Sequence, residues 1–158
     1  MSGTYHLVVI GSNPPTTSGE RSLRRVEIAR EILGFQTVEV VNLFPLPTHR
    51  TNGLSEVGQT KESWDQARSE IRAAVVRASA VLLAYGMRHP TGPARHHHRS
   101  QVAWVDELLI AEGIASWWVG GEPRHPSRWH RHTHRVDPSK AFRDVLPEVL
   151  VQRDSLTA

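Results

Sequence analysis

Leu7-Val8-Val9-Ile10-Gly11-Ser12-Asn13-Pro14 is the stretch that decides the fold. A strand this uniformly apolar must be buried on both faces, the pattern of a parallel sheet covered by helices. Ligands of such sheets bind in the crevice outside the carboxyl ends of the strands. The polar residues that follow Ile10 at once are therefore candidate site residues. A second polar signature, His125-Pro126-Ser127, follows the run from Ile114 to Gly120 in the same way. Together they predict one site assembled from both ends of the sequence.

Working outward, strand and helix patterns alternate. Residues 5–10 read as the first strand, and Thr16, Thr17 and Ser18 are candidate caps for a helix carrying Leu23, Val26, Ala29 and Leu33. Gly34 stops that helix. Residues 37–41 form a second strand ending at Asn42-Leu43-Phe44, followed by a polar loop from Pro45 to Lys61. Trp64, Ala67, Ile71, Ala74, Val75 and Ala78 mark one face of a second helix. Residues 80–84 form a third strand closing at Tyr85-Gly86, and a basic loop spans 87–99. Ser100 is the candidate cap of a third helix, ended by Gly113, and residues 115–119 form the fourth strand. A weaker helix over 138–150 is interrupted by Pro147, and residues 151–158 read as a frayed tail. The expected architecture is a three-layer α/β/α sandwich with a central four-stranded parallel sheet, in a single domain over residues 1–150.

Composition narrows the function classes. At 158 residues with 39% hydrophobic and 22% charged content, the chain is long enough for one ordinary globular domain. The absence of cysteine excludes a disulfide framework, a thiolate-ligated metal and a cysteine nucleophile. No signal peptide and no membrane span are expected, and the cytoplasm is the expected compartment. The Gly-rich patterns of dinucleotide and P-loop sites are missing. The net charge is only +3, but seven arginines and eight histidines crowd residues 88–135. That basicity reads either as a solvated surface or as a polyanion-binding face. The histidines at 96–98 and at 130, 132 and 134 have no acidic neighbour, so a cationic surface is preferred to a metal site and no cofactor is expected.

The residues after each strand, taken in order, carry a resemblance. Gly11-Ser12-Asn13-Pro14, then Asn42, then Tyr85-Gly86, then His125-Pro126-Ser127 resemble the ordered motifs of the uracil-DNA glycosylase superfamily. A closer resemblance, over about residues 7 to 135, is to a family of small bacterial and phage proteins known only as a domain of unknown function. Its motifs read here as Asn13-Pro14-Pro15-Thr16, Arg24-Arg25, Val40-Val41-Asn42-Leu43-Phe44, Ala84-Tyr85-Gly86 and Pro123-Arg124-His125-Pro126. The superfamily resemblance implies a glycosylase-like fold and excision of a damaged or modified base from DNA. Asn13 would orient a water, His125 would donate to the leaving base, and Asn42 would read the base edge. Gly11, Ser12, Pro14 and Ser127 would complete the pocket, and Phe44 is added as a stacking candidate.

The residue four positions after His125 is Trp129, where DNA-cleaving relatives place a wedge that fills the vacated stack. With Arg124, Arg128, His130 and Arg131 it forms a candidate DNA-binding loop, and the competing reading is a core tryptophan. Asn13 stands where the fastest members carry an aspartate, and Pro15 where uracil-specific members carry a tyrosine, so a base with a bulky 5-substituent is admitted. Glu20 is the nearest acid, either as a substitute base or as a solvated helix-start carboxylate. The expected partner is duplex or single-stranded DNA, with a monomeric protein. The alternatives are a non-catalytic nucleotide- or DNA-binding module and an N-glycosidase of free nucleosides or nucleotides.

Overall fold

The structure, a computed structural model, describes residues 5–48 and 53–155. It is an α/β fold around a five-stranded mixed sheet. The strands are β1 (His6–Gly11), β2 (Thr37–Asn42), β3 (Ala80–Leu83), β4 (Ser116–Val119) and β5 (Leu150–Gln152), in the order β2-β1-β3-β4-β5. The first four run parallel and β5 pairs antiparallel with β4. The expected four-stranded parallel sheet thus gains an antiparallel edge. Residues 150–152, expected to close a helix and open a frayed tail, instead form that edge. The Arg153 guanidinium grips both oxygens of Asp106 at 2.8 and 3.3 Å.

The apolar run of β1 splits between two cores, as side-chain alternation requires. Val8 and Ile10 join Ile71, Val75 and Val105 on one face. Leu7 and Val9 join Val26, Ala29, Val145 and Leu146 on the other. The helices supplying these faces are α1 (Glu20–Leu33), α2 (Gly53–Val57), α3 (Lys61–Asp65), α4 (Arg68–Val76), α5 (Pro93–Glu112), α6 (Trp129–Val136) and α7 (Phe142–Val149).

Several boundaries depart from expectation, each for a local reason. The polar loop 45–61 contains α2, and the helix expected over 64–78 breaks at Gln66 and Ala67 into α3 and α4. At the start of α1 the cap is Gly19 in the left-handed region, with no side-chain cap from Thr16, Thr17 or Ser18. The third helix begins at Pro93 rather than Ser100, because Gly92 takes φ 64° and Pro93 fits a first helical turn. His96, His97 and His98 therefore lie on a helix. So do His130, His132 and His134, expected on an extended segment. On α6 a spacing of two turns successive side chains to opposite sides rather than onto one face.

Among the described residues, no helix is long and apolar enough to cross a membrane.

Candidate functional site at the strand ends

The strand order places a topological switch point between β1 and β3, where the chain leaves β1 first toward β2 and then toward β3. The crevice outside their carboxyl ends is where α/β folds bind ligands. Gly11 ends β1 directly opposite Asn42 of β2. A Cβ added at Gly11 would meet the Asn42 Oδ1 at 2.6 Å, so the amide of Asn42 lies across the glycine. The pairing continues past the strands, with Leu43 N–H donating to Gly11 O and Phe44 N–H to Ser12 O, both at 2.9 Å. Buried Gln101 of α5 donates to Leu43 O at 2.8 Å and to Trp64 O at 2.9 Å, which fixes the backbone beside Asn42.

Asn13 sits half-buried above this edge. Its Nδ2 donates to Thr48 Oγ1 at 3.1 Å and to Leu46 O at 3.4 Å. Those bonds use the donor end of the amide and orient its acceptor oxygen away from them. Ser12 and Pro14 are half-buried beside it.

His125 lies in the loop after β4, beside the end of β3. Gly86 N–H donates to Pro123 O at 2.6 Å, tying the loop after β3 to the loop after β4. Gly86 itself takes φ 87°, and a Cβ there would sit 3.6 Å from that of His125. From the other side, Arg25 of α1 donates to Pro126 O at 2.9 Å. The imidazole caps the 3₁₀ turn at Pro126–Arg128, because its Nδ1 accepts from Ser127 N–H at 3.1 Å. Ser127 Oγ stands 2.8 Å from the same nitrogen. A backbone N–H can only donate, so Nδ1 carries no proton and the ring proton sits on Nε2. Burial, then the nearby Arg128 and Arg25 cations, lower the His125 pKa. The residue is thus held as a neutral Nε2–H donor. That is the form suited to stabilising an oxyanion without giving up its proton.

Two expected contacts are corrected. Trp129 is fully buried in the core with Val119 and Val145, and its Nε1–H donates to Arg124 O at 2.9 Å. It is not an exposed wedge. Its indole nitrogen finds the loop carbonyl as buried tryptophans require, and its ring fills the sheet face. Phe44 is also fully buried, edge-on to Trp64 at a centroid separation of 4.8 Å, so its ring is not offered to a base. Of the remaining basic loop, Arg124 pairs with Glu122 at 3.6 Å and His130 stacks on Phe142 at 4.3 Å. Arg128 and Arg131 are exposed. Glu20 is exposed and pairs with Arg24 at 3.7 Å, the solvated helix-start arrangement.

The structure also contains a feature the motifs did not indicate. On the other side of β3, a cavity of about 480 Å³ opens between Tyr85, the first turns of α5 and the β4 loop. Gly86 and Pro123 line it, so it adjoins the His125 loop. His98, grouped with a solvated cationic cluster on sequence grounds, is buried there at 3% exposure. Burial, reinforced by His89, lowers its pKa to about 4. Burial, then the Asp106 carboxylate, pushes the Tyr85 hydroxyl up to about 12, so it stays a donor. The helical register of α5, had its start been placed at Pro93, would have put His98 on the same side as Gln101 and Val105.

No curated protein and no solved structure matches the chain at a significant level. The wider resemblance to uracil-DNA glycosylases therefore gains no support from these comparisons. One family model does match, described as a protein of unknown function (DUF1643), over residues 2–127. That span takes in β1 through β4, the strand-end motifs and His125, and on it the chain belongs to the DUF1643 family.

Proposed function

We infer that the chain hydrolyses N-glycosidic bonds, acting on a uracil-like or 5-substituted base in DNA. The observation that carries this reading is the fixed tautomer of His125: a neutral imidazole with its proton on Nε2, at the carboxyl edge of the sheet. Breaking the bond between base and sugar develops positive charge on the sugar and negative charge on a base oxygen. His125 Nε2–H donates to that oxygen as charge grows. Asn13 Oδ1 orients the water that attacks C1′. Asn42 offers a donor and an acceptor to the base edge. Asn13 brings no carboxylate, so water adds to the cationic sugar and its proton passes to bulk water or to the departed base anion, and stabilisation of the leaving base carries most of the rate.

The test uses duplex and single-stranded oligonucleotides bearing uracil or 5-hydroxymethyluracil, followed by alkali to break abasic sites. Strand breaks are expected with the natural chain. Loss of one such donor costs about 10²–10³ in kcat, so His125→Gln is expected to lose activity on that scale. Asn13→Ala is expected to lose it too, with both variants folded. No breaks on any base would overturn the assignment.

Burial of Trp129 and Phe44 favours a second reading. With no wedge to fill a duplex stack, the same pocket suits a free nucleotide or nucleoside, as substrate or as bound ligand. Breaks confined to single strands, or cleavage of free nucleosides alone, would select it.

A further inference from the structure

The geometry points to the cavity between β3, β4 and α5 as a binding site for an aromatic phosphomonoester of mononucleotide size, distinct from the His125 crevice. Its volume, about 480 Å³, lies within the range of small-ligand pockets, roughly 300–1,000 Å³. Its walls combine two kinds of group. Tyr85 and Trp118 present aromatic surface for a planar ring. Arg95 and Arg99 present guanidinium groups, both exposed and, among the described residues, both without a carboxylate partner. The one acidic residue in the lining, Glu122, is already engaged by Arg124 at 3.6 Å. The wall therefore carries uncompensated positive charge, and arginine forks match phosphate geometry.

His98 supplies the observation that separates a ligand site from a merely basic surface. It lines the cavity, is 3% exposed, and stands edge-on to three rings: Trp64 at 5.8 Å, Tyr85 at 6.4 Å and His89 at 5.4 Å between centroids. Among the described residues, neither ring nitrogen has a hydrogen-bond partner. A polar ring this deeply placed is as a rule hydrogen-bonded. A ligand carrying a hydroxyl or carbonyl supplies that bond from within the cavity. The helix opening here adds to the same polarity: α5 is 20 residues long, with no acidic side chain in its first turn and no side-chain cap. A planar ring against Tyr85 and Trp118, a polar substituent on His98 and a phosphate on Arg95 and Arg99 satisfy every one of these groups at once.

The experiment is titration of the full-length chain with thymidine 5′-monophosphate, thymidine and inorganic phosphate, followed by calorimetry and tryptophan fluorescence. Saturable binding of the nucleotide is expected. Thymidine should bind at least tenfold more weakly, because it leaves the arginines unpaired. The Arg95→Gln/Arg99→Gln double variant should lose at least tenfold in nucleotide affinity at an unchanged melting temperature, both side chains being exposed. His98→Asn should weaken the nucleotide and thymidine alike. Nucleotide affinity that falls with His125→Ala but not with the arginine double variant would place binding in the His125 crevice and overturn the proposal. A 5′-phosphorylated single strand that competes with the nucleotide would identify a strand end as the source of the ligand, and failure to compete a free nucleotide. No saturation up to about 10 mM, far weaker than a millimolar site, would overturn the proposal. So would equal affinity for thymidine and its phosphate, or a double variant that binds as tightly as the natural chain.

Discussion

Replacing Trp129 by alanine tests whether this residue belongs to the core or to a DNA interface. The side chain is fully buried, and its Nε1–H donates to Arg124 O at 2.9 Å. A buried tryptophan truncated to alanine costs about 3–5 kcal/mol, from lost transfer energy and the cavity left behind. The orphaned carbonyl of Arg124 adds about 1 kcal/mol. The sum, about 4–6 kcal/mol, is a large share of the stability of a domain this size. At about 2–4 °C per kcal/mol, the melting temperature should fall by roughly 8–24 °C. Trp129→Phe keeps most of the ring volume but removes the N–H donor, so it should cost about 1–2 kcal/mol. Because Arg124 immediately precedes His125, the phenylalanine variant should also loosen the imidazole's position. Urea titrations of both variants measure the cost directly. A loss below about 1 kcal/mol for Trp129→Ala would refute the core assignment and return the side chain to solvent.

Acid stability reports on His98. Its pKa is about 4 in the folded chain against about 6.5 unfolded, so between these values the unfolded state binds the proton first. Stability contributed by its neutral form is complete above pH ~6.5 and is lost as pH falls toward 4, by about 3 kcal/mol in all. Urea midpoints measured across this range should fall less steeply in His98→Phe, and parallel profiles would contradict the burial. Gly11→Ala should leave the melting temperature within a few degrees, because the close contact of the Cβ is with the end of the Asn42 amide and Val40 lies at an ordinary 3.8 Å. It should still abolish activity on the preferred base by displacing that amide; full activity would remove Asn42 from the base-reading role. Arg153→Ala removes the two-pronged bond to Asp106 and the guanidinium 5.1 Å over Trp118, and should cost about 1–2 kcal/mol. Hydrogen exchange should show β5 losing protection first, and unchanged protection there would argue that backbone pairing alone holds the strand.

The parts of the fold that follow from local pattern were legible. Four apolar runs marked the parallel strands, and Gly34 and Gly113 stopped their helices in the left-handed conformation the sequence suggests. What escaped depends on partners distant in the chain. Leu150-Val151-Gln152 is too short to read as a strand and becomes one only against Trp117 and Trp118. The helical start at Pro93 was signalled by the Gly92-Pro93 pair, yet the basic run after it reads as solvated loop. Trp129 lies among arginines and histidines, and only its spacing of four from buried Thr133 marks an inward face. The strand-end placement of Asn13, Asn42 and His125 was legible because the crevice is a property of the sheet. The tautomer of His125 was not, since it needs the 3₁₀ turn that brings Ser127 N–H back onto the ring.

The two faces of the sheet are completed at different times during synthesis. Among the described residues, the core built on Val8 and Ile10 draws on nothing beyond Trp118, whereas the core built on Leu7, Val9 and Leu82 also needs Trp129, Val145, Leu146 and Val149. Those late residues lie past position 127, where the family match ends. At translation rates of about 5–20 residues per second, the interval from residue 127 to 149 lasts about one to four seconds. For that time one core has all its residues, while the other face has α1 alone to cover it. A chain stopped at residue 127 is therefore expected to be aggregation-prone on the face that α6 and α7 complete.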